Sequence, residues 1–295
     1  MPDNTRGTSI LLFASLTLIW GTSFILIKQG LKVFAPDEVA SLRVTAAALF
    51  LLPIALTQLH EVKRADYWKL FASGMMGVFI PAFLFSAAQT RMDSSAAGIL
   101  NALSPIFTLI IGAFLFNQRF KALSILGIIL GFAGAVTLSL TRSGGSISGI
   151  NAYALLIVLA CFFYGSNLNF VKFVIPDIRS LTITSVSVLL IGPLAAIYLF
   201  GFTDFTHKLT TLEGAWKAAG YIVLLGLMST AVAIMLFNKL VKITTPLLAS
   251  SVTYVMPIVA VLWGLLDGET IHAGHFIGMT AIIGGVYLAN RKPKA

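Results

Sequence analysis

The sequence predicts an all-α integral membrane protein with ten transmembrane helices arranged as two inverted five-helix repeats. Of its 295 residues, 58% are hydrophobic and 11% are charged, and the mean hydropathy is +0.94. About a quarter of the residues in soluble domains are charged, so this composition argues against a soluble protein. Two further observations are a series of apolar windows of membrane length and a duplicated set of motifs.

Ten apolar windows are long enough to cross a bilayer as α-helices, which takes about 20 residues each. The first window is too long for the apolar core of a cleaved signal peptide, so we expect it to remain as the first span. The connections are too short for a soluble catalytic domain. The windows cover residues 9–27, 39–57, 70–88, 95–115, 123–140, 152–171, 181–201, 218–237, 247–266 and 274–289.

Positive charge is distributed unevenly between the predicted loops. With a cytoplasmic N-terminus, the inner loops and tails hold roughly twice as many Lys and Arg residues as the outer loops, the bias typical of cytoplasmic segments. The net charge of +9 is therefore assigned to membrane topology, and no nucleic-acid partner is expected. Both termini are predicted to be cytoplasmic. The absence of an N-x-[ST] site agrees with a bacterial inner membrane.

The two halves of the chain repeat the same motifs in the same order. Trp20-Gly21-Thr22-Ser23 returns as Tyr164-Gly165-Ser166-Asn167, and Pro53, Trp68 and Pro105 return as Pro193, Trp216 and Pro257. This duplication predicts a first unit over 1–145 and a second over 146–295. Because each unit holds an odd number of helices, the second enters the membrane from the opposite side. Inverted repeats place a substrate site near the bilayer midplane.

The fourth and ninth predicted helices share a polar interruption around Pro105 and Pro257. A proline removes one N–H and frees the carbonyl four residues earlier, so we predict that both are helix hinges. The freed carbonyls of Asn101 and Thr253 could then serve a ligand. The alternative, in which the small and polar residues only pack helices together, stays open at this stage.

Trp20 and Tyr164 occupy equivalent positions well inside the first and sixth helices. They are predicted to form walls of a substrate cavity, with packing or interfacial anchoring as the alternative. The predicted cavity residues are Trp20, Ser23, Asn101, Ser104, Tyr164, Asn167, Ser250 and Thr253.

Other polar residues in or near the spans are given structural roles. Arg43 is interpreted as an interfacial anchor, with substrate binding as the alternative. Lys28 and Lys172 are interpreted as anchors, and Gln89 and Asn238 as helix caps. Glycines of the fifth and tenth helices predict close helix packing, either within the chain or in a dimer. A monomer is expected, with a dimer left open. Those glycines are Gly127, Gly131, Gly134, Gly278, Gly284 and Gly285.

No acidic residue falls within a central span, and the four histidines are peripheral. His272 and His275 have the spacing of a metal pair, but they lack a partner and are interpreted as a solvated helix start. No metal site or cofactor is predicted. No catalytic group is predicted either, because an intramembrane enzyme would need paired reactive groups inside the spans.

The chain resembles the drug/metabolite transporter superfamily, and within it the EamA-like ten-helix exporters. The resemblance covers nearly the whole chain. It rests on Trp20-Gly21-Thr22-Ser23-Phe24, Pro36 followed by Arg43, Leu103-Ser104-Pro105 and Asp267-Gly268-Glu269. The fourth helix of each repeat in that family usually ends in a Leu-Gly-Glu-like sequence. Gln118 departs from that pattern where Glu269 keeps it.

The resemblance implies a secondary transporter that exports small metabolites, such as amino acids, through a cavity formed by both repeats. Its partners would be a small-molecule substrate and the lipid bilayer. One alternative is a multidrug transporter for cationic amphiphiles, which the lack of a buried carboxylate disfavours. Another is a membrane receptor or assembly subunit without transport activity. The substrate and the energy coupling stay open.

Overall fold

The computed structural model describes residues 3–91, 97, 98, 100–142, 153–266 and 273–290, and every regular element in them is helical. The first half contains α1 (Asp3–Gly30), α2 (Pro36–Gln58), α3 (Tyr67–Gly74), α4 (Ile80–Ala88), α5 (Ser104–Phe116) and α6 (Ala122–Arg142). The second half contains α7 (Ala154–Phe173), α8 (Ser180–Phe202), α9 (Phe205–Thr211), α10 (Ala215–Leu225), α11 (Ala233–Ile243), α12 (Pro246–Ser250), α13 (Val252–Leu266) and α14 (Ala273–Asn290).

Within the described residues, six continuous helical segments are long and apolar enough to cross a membrane, and three shorter apolar helical segments accompany them. The prediction of a multi-pass membrane protein agrees with these segments, whereas the count of ten spans stays a prediction. Large apolar side chains such as Phe114 (81% exposed) and Phe202 (74%) lie on the outer surface, where lipid would cover them. The six long segments are Gly7–Gly30, Pro36–Glu61, Arg64–Ala88, Ala154–Phe173, Ser180–Phe202 and Ala215–Ile243.

Two of the long segments contain a π-helical stretch. Met75–Phe79 joins α3 to α4, and Gly226–Val232 joins α10 to α11. Directly after the first stretch, Pro81 of α4 has no N–H to give to the carbonyl of Gly77, and the helix widens there. The N–H of Ile80 accordingly bonds the carbonyl five residues earlier. No proline lies in the second stretch, so packing decides its geometry.

Both predicted polar interruptions are breaks in regular helix. A 3₁₀ turn, Asn101–Leu103, leads into α5, and Pro105 stands in the first turn of that helix. In the second half, Ser251 separates α12 from α13, and Pro257 lies inside α13. Each break therefore precedes its proline by a few residues. A hinge motion at Pro105 or Pro257 stays a prediction.

Helices α2 and α8 pack against each other in antiparallel fashion. The start of α2 meets the end of α8, where the Tyr198 hydroxyl donates to Asp37 at 3.1 Å. At the opposite end, the Thr182 hydroxyl donates to Gln58 at 2.9 Å. Gly192 allows the close crossing, because a Cβ there would lie 2.3 Å from the Cβ of Ala48.

The small-residue faces predicted in the fifth and tenth helices meet within the chain. A Cβ on Gly285 of α14 would lie 2.4 Å from the backbone nitrogen of Gly131 and 2.6 Å from the carbonyl oxygen of Gly127, both on α6. The backbones of the two helices are therefore in direct contact, as small residues permit in membrane helices.

Candidate functional site

A cavity lies between the two halves of the chain, and side chains from both halves line it. The space that the centre of a water-sized sphere can occupy inside it has a volume of about 100 Å³. One water needs about 10–15 Å³ on that measure, so the cavity has room for a small metabolite. All eight predicted residues line it, namely Trp20, Ser23, Asn101, Ser104, Tyr164, Asn167, Ser250 and Thr253. The structure thus brings them together, and their role in binding stays a prediction.

Helix α1 is fixed against the π-helical stretch of the second half. The indole N–H of Trp20 donates to the backbone carbonyl of Ser229 at 2.9 Å. The hydroxyls of Ser23 and Ser229 lie 2.6 Å apart and share a hydrogen bond. The Trp20 ring also packs edge-on against Phe237, with ring centroids 4.8 Å apart. These contacts hold the ring in place as a wall of the cavity.

Helix α7 makes the corresponding contact with the π-helical stretch of the first half. Asn167, the repeat equivalent of Ser23, accepts a hydrogen bond from the Ser73 hydroxyl at 2.8 Å. A Cβ on Gly77 would lie 2.4 Å from the side-chain amide nitrogen of Asn167, so a larger residue there would displace the Asn167 side chain. Tyr164 packs near Phe85, with ring centroids 6.1 Å apart. Both π-helical stretches therefore border the cavity, as such stretches often border functional sites.

The expectation that the Asn101 carbonyl is free for a ligand is wrong in this structure. That oxygen accepts a hydrogen bond from the Ser104 hydroxyl at 2.8 Å and a longer one from the Cys161 thiol at 3.8 Å. The side-chain amide of Asn101, which is 4% exposed, reaches the sulfur of Met256 at 3.9 Å. Since a sulfur is a weak acceptor, this amide N–H group is the better candidate for a substrate.

The side chain of Arg43 lines the cavity, which contradicts the interpretation as an interfacial anchor and agrees with the alternative of substrate binding. Its Nε donates to the Thr230 hydroxyl at 2.7 Å. Among the described lining residues, Arg43 is the one that carries a charge. The available signal was the small residues Ala40, Ala46 and Ala47 around it, because small residues mark the packed face of a membrane helix.

Two other structural interpretations are also corrected. Asn238 does not cap a helix; it lies within α11, is 4% exposed, lines the cavity and donates to the Thr184 hydroxyl at 2.8 Å. Lys172 is not a lipid anchor, because its ammonium group donates to three backbone carbonyls at the end of α11, at 2.8–3.2 Å. Glu269 and His272 lie outside the described residues.

The family model described as "EamA-like transporter family" matches residues 7–140 and again residues 151–291. An uncharacterized transporter of Archaeoglobus fulgidus is 28% identical over 92% of this chain and 95% of its own. The uncharacterized inner membrane transporter YedA of Escherichia coli K12 is 29% identical over 94% and 88%. A probable amino-acid metabolite efflux pump of Salmonella typhimurium is 24% identical over 92% and 91%.

A solved crystal structure shares the fold, with a TM-score of 0.75 over 96% of each chain at 18% sequence identity.

Proposed function

Because the chain belongs to the EamA-like transporter family, we propose that it exports small metabolites, such as amino acids, by alternating access. The observation that carries this proposal is a single cavity lined by polar and aromatic side chains from both halves. Export of amino acids is supported by the name of the Salmonella relative, a probable amino-acid metabolite efflux pump.

The proposed architecture is ten spans in two inverted units, 1–145 and 146–295. The two separate matches of the family model support this division. The antiparallel crossing of α2 and α8, which are equivalent helices in the repeat, supports the inversion. Rocking of one unit against the other would open the cavity to each side of the membrane in turn.

The proposed location is the bacterial inner membrane, with both termini in the cytoplasm. The inner-membrane relative from Escherichia coli and the distribution of Lys and Arg support this orientation. A monomer contains both halves of the cavity, so the proposal needs no second copy.

Transport in proteoliposomes tests the function. Vesicles preloaded with a panel of radiolabelled amino acids would report efflux by the purified wild-type protein, and substrates found in this way would be tested on variants. Trp20→Ala removes a cavity wall and is expected to reduce transport at least about tenfold. The reason is that the loss of a buried aromatic contact of roughly 1.4 kcal/mol or more corresponds to a factor of about ten. Asn101→Leu is expected to have a similar effect through its amide.

Trp216→Ala is the matched control, because it removes the same kind of side chain from a position that is 72% exposed. Trp216 is the repeat equivalent of Trp68. It is expected to transport like the wild type. Wild-type vesicles that show no flux of any metabolite would contradict the transport function. Unchanged flux in folded Trp20→Ala and Asn101→Leu would contradict the site only.

A further inference from the structure

We infer that Arg43 is an anion-binding subsite and that the substrate is an amphipathic monocarboxylate, whose carboxylate pairs with Arg43 and whose apolar body lies against the aromatic wall. This inference rests on the proposed transport function and names the substrate class of the same cavity.

The guanidinium of Arg43 is only partly used by the protein. Its Nε bonds Thr230, and no other hydrogen bond or ion pair joins Arg43 to the residues that the structure describes. Tyr164 lies close enough to interact electrostatically with the guanidinium, but the two terminal nitrogens make no hydrogen bond to the described residues and remain for a ligand. A charged group inside a membrane span is costly unless it is paired. The planar fork of Arg matches the two oxygens of a carboxylate.

Helix α2 places this charge within the bundle. Arg43 lies seven residues after Pro36, about 10 Å along the helix axis. The backbone carbonyl of Arg43 lies against Gly226, where a Cβ would be 2.5 Å away, so α2 packs tightly on the second π-helical stretch. The side chain of Arg43 lies beside Thr230 and lines the cavity.

The remaining wall fits an apolar body. Large apolar side chains in the described lining include Trp20, Phe24, Phe85, Ile234, Phe237 and Met256.

The second half offers no matching cation at the repeat-equivalent position. That position holds Ile183, which is 1% exposed. The cavity therefore has one arginine rather than a symmetric pair. Its single positive charge matches a substrate with one anionic group.

Three compounds with the same phenylethyl skeleton separate the possible sources of recognition. Phenylalanine has a carboxylate and an ammonium, 3-phenylpropionate has only the carboxylate, and 2-phenylethylamine has only the ammonium. Equilibrium binding of each would be measured on the purified full-length protein in detergent, without a gradient. We expect the two carboxylates to bind and the amine to bind at least about tenfold more weakly, because the amine lacks the charged hydrogen bonds between a carboxylate and the guanidinium.

Arg43→Gln is expected to weaken both carboxylates about tenfold or more, whereas Arg43→Lys should keep part of the affinity. Arg119→Gln is the matched control, because Arg119 lies in the exposed connection after α5 and should bind like the wild type. Retention of the tryptophan fluorescence spectrum and of the melting temperature would show that the Arg43 variants are folded.

The inference is overturned if 2-phenylethylamine binds as well as the carboxylates, if Arg43→Gln binds them like the wild type, or if neither carboxylate binds the wild type at about 10 mM, well above common metabolite affinities. Carboxylate binding without flux would contradict transport and leave the subsite standing. Flux that does not depend on Arg43 would contradict the subsite and leave the transport function standing.

Discussion

At the residue scale, Gly165 shows how one missing side chain decides the packing next to the cavity. A Cβ on this residue would lie 2.7 Å from the backbone nitrogen of Thr108 and 2.9 Å from the carbonyl carbon of Phe107. Both atoms belong to the backbone of α5, so they cannot rotate away. Asn169, one turn later on α7, donates to the Thr108 carbonyl at 3.0 Å, which fixes the same contact.

We predict that Gly165→Ala lowers the free energy of unfolding by about 1–3 kcal/mol, the usual cost of overpacking, because α5 and α7 must move apart. Thermal denaturation of the purified protein in detergent measures the effect. Gly220→Ala is the control, since no atom lies within 4 Å of a Cβ at that position of α10. Alanine is a better helix former than glycine, so this control should be neutral or stabilising. Equal losses in both variants would contradict the proposed packing.

The sequence alone placed some residues of the cavity correctly and others not. The eight predicted cavity residues all line the cavity, because the repeat and the three- or four-residue spacing define one helix face without knowledge of the neighbours. For Arg43 the sequence favours the wrong one of two roles, an anchor rather than a cavity residue, and for Asn238 it predicts a cap that the structure does not show. A polar side chain near a helix end can turn toward the interface or the bundle, and only the packing of adjacent helices decides which.

At the element scale, two lysines tie the ends of α7 and α11 together. The Lys172 ammonium donates to the carbonyls of Val241, Lys242 and Thr244. In return, the Lys242 ammonium donates to the carbonyls of Ile175 and Pro176, just past the end of α7. The last carbonyls of a helix have no partner within the helix, and a cation there also interacts favourably with the helix dipole. Lys172 therefore caps the end of α11, and Lys242 holds the segment that directly follows α7.

We predict that Lys172→Met destabilises the protein by about 1 kcal/mol or more, because three charged hydrogen bonds to carbonyls are lost. Lys28→Met is the matched control, since Lys28 holds the equivalent place at the end of α1 and is exposed. Melting temperatures in detergent would be compared at constant salt. If the control shifts as much as Lys172→Met, the capping role is wrong and a general effect of charge explains both.

The π-helical stretches had a sequence signal in one half only. Pro81 marks the first stretch, whereas the second, Gly226–Val232, contains no proline. The contacts of Trp20 and Ser23 with Ser229 depend on the second stretch, so its place in the site could not be read from local sequence.

At the scale of the whole molecule, the antiparallel crossing of α2 and α8 predicts that the connections after these helices lie on opposite sides of the membrane. Arg64 follows the end of α2 and Asp204 follows the end of α8, and both are exposed. In the proposed orientation, Arg64 is cytoplasmic and Asp204 lies outside.

Single cysteines test this topology. They are introduced into a Cys161→Ser background, which removes the native, buried cysteine so that only the introduced one can be labelled. We expect a membrane-impermeant maleimide to label Asp204→Cys on intact cells and to label Arg64→Cys only after permeabilisation. Labelling of both sites from one side would contradict the inverted arrangement. The reverse pattern would keep the inversion and place both termini outside.

The sequence by itself determined that this is a membrane protein of the EamA-like transporter family with duplicated motifs, because composition, periodicity and repeats are local or additive properties of the chain. Only the tertiary structure decided which polar groups face the cavity and which are already used. The Asn101 carbonyl is occupied by Ser104, whereas Arg43 extends beside Thr230 into the cavity. The physical reason is that a hydrogen-bond partner or a cavity wall comes from a helix distant in sequence, so its position follows from how the helices pack.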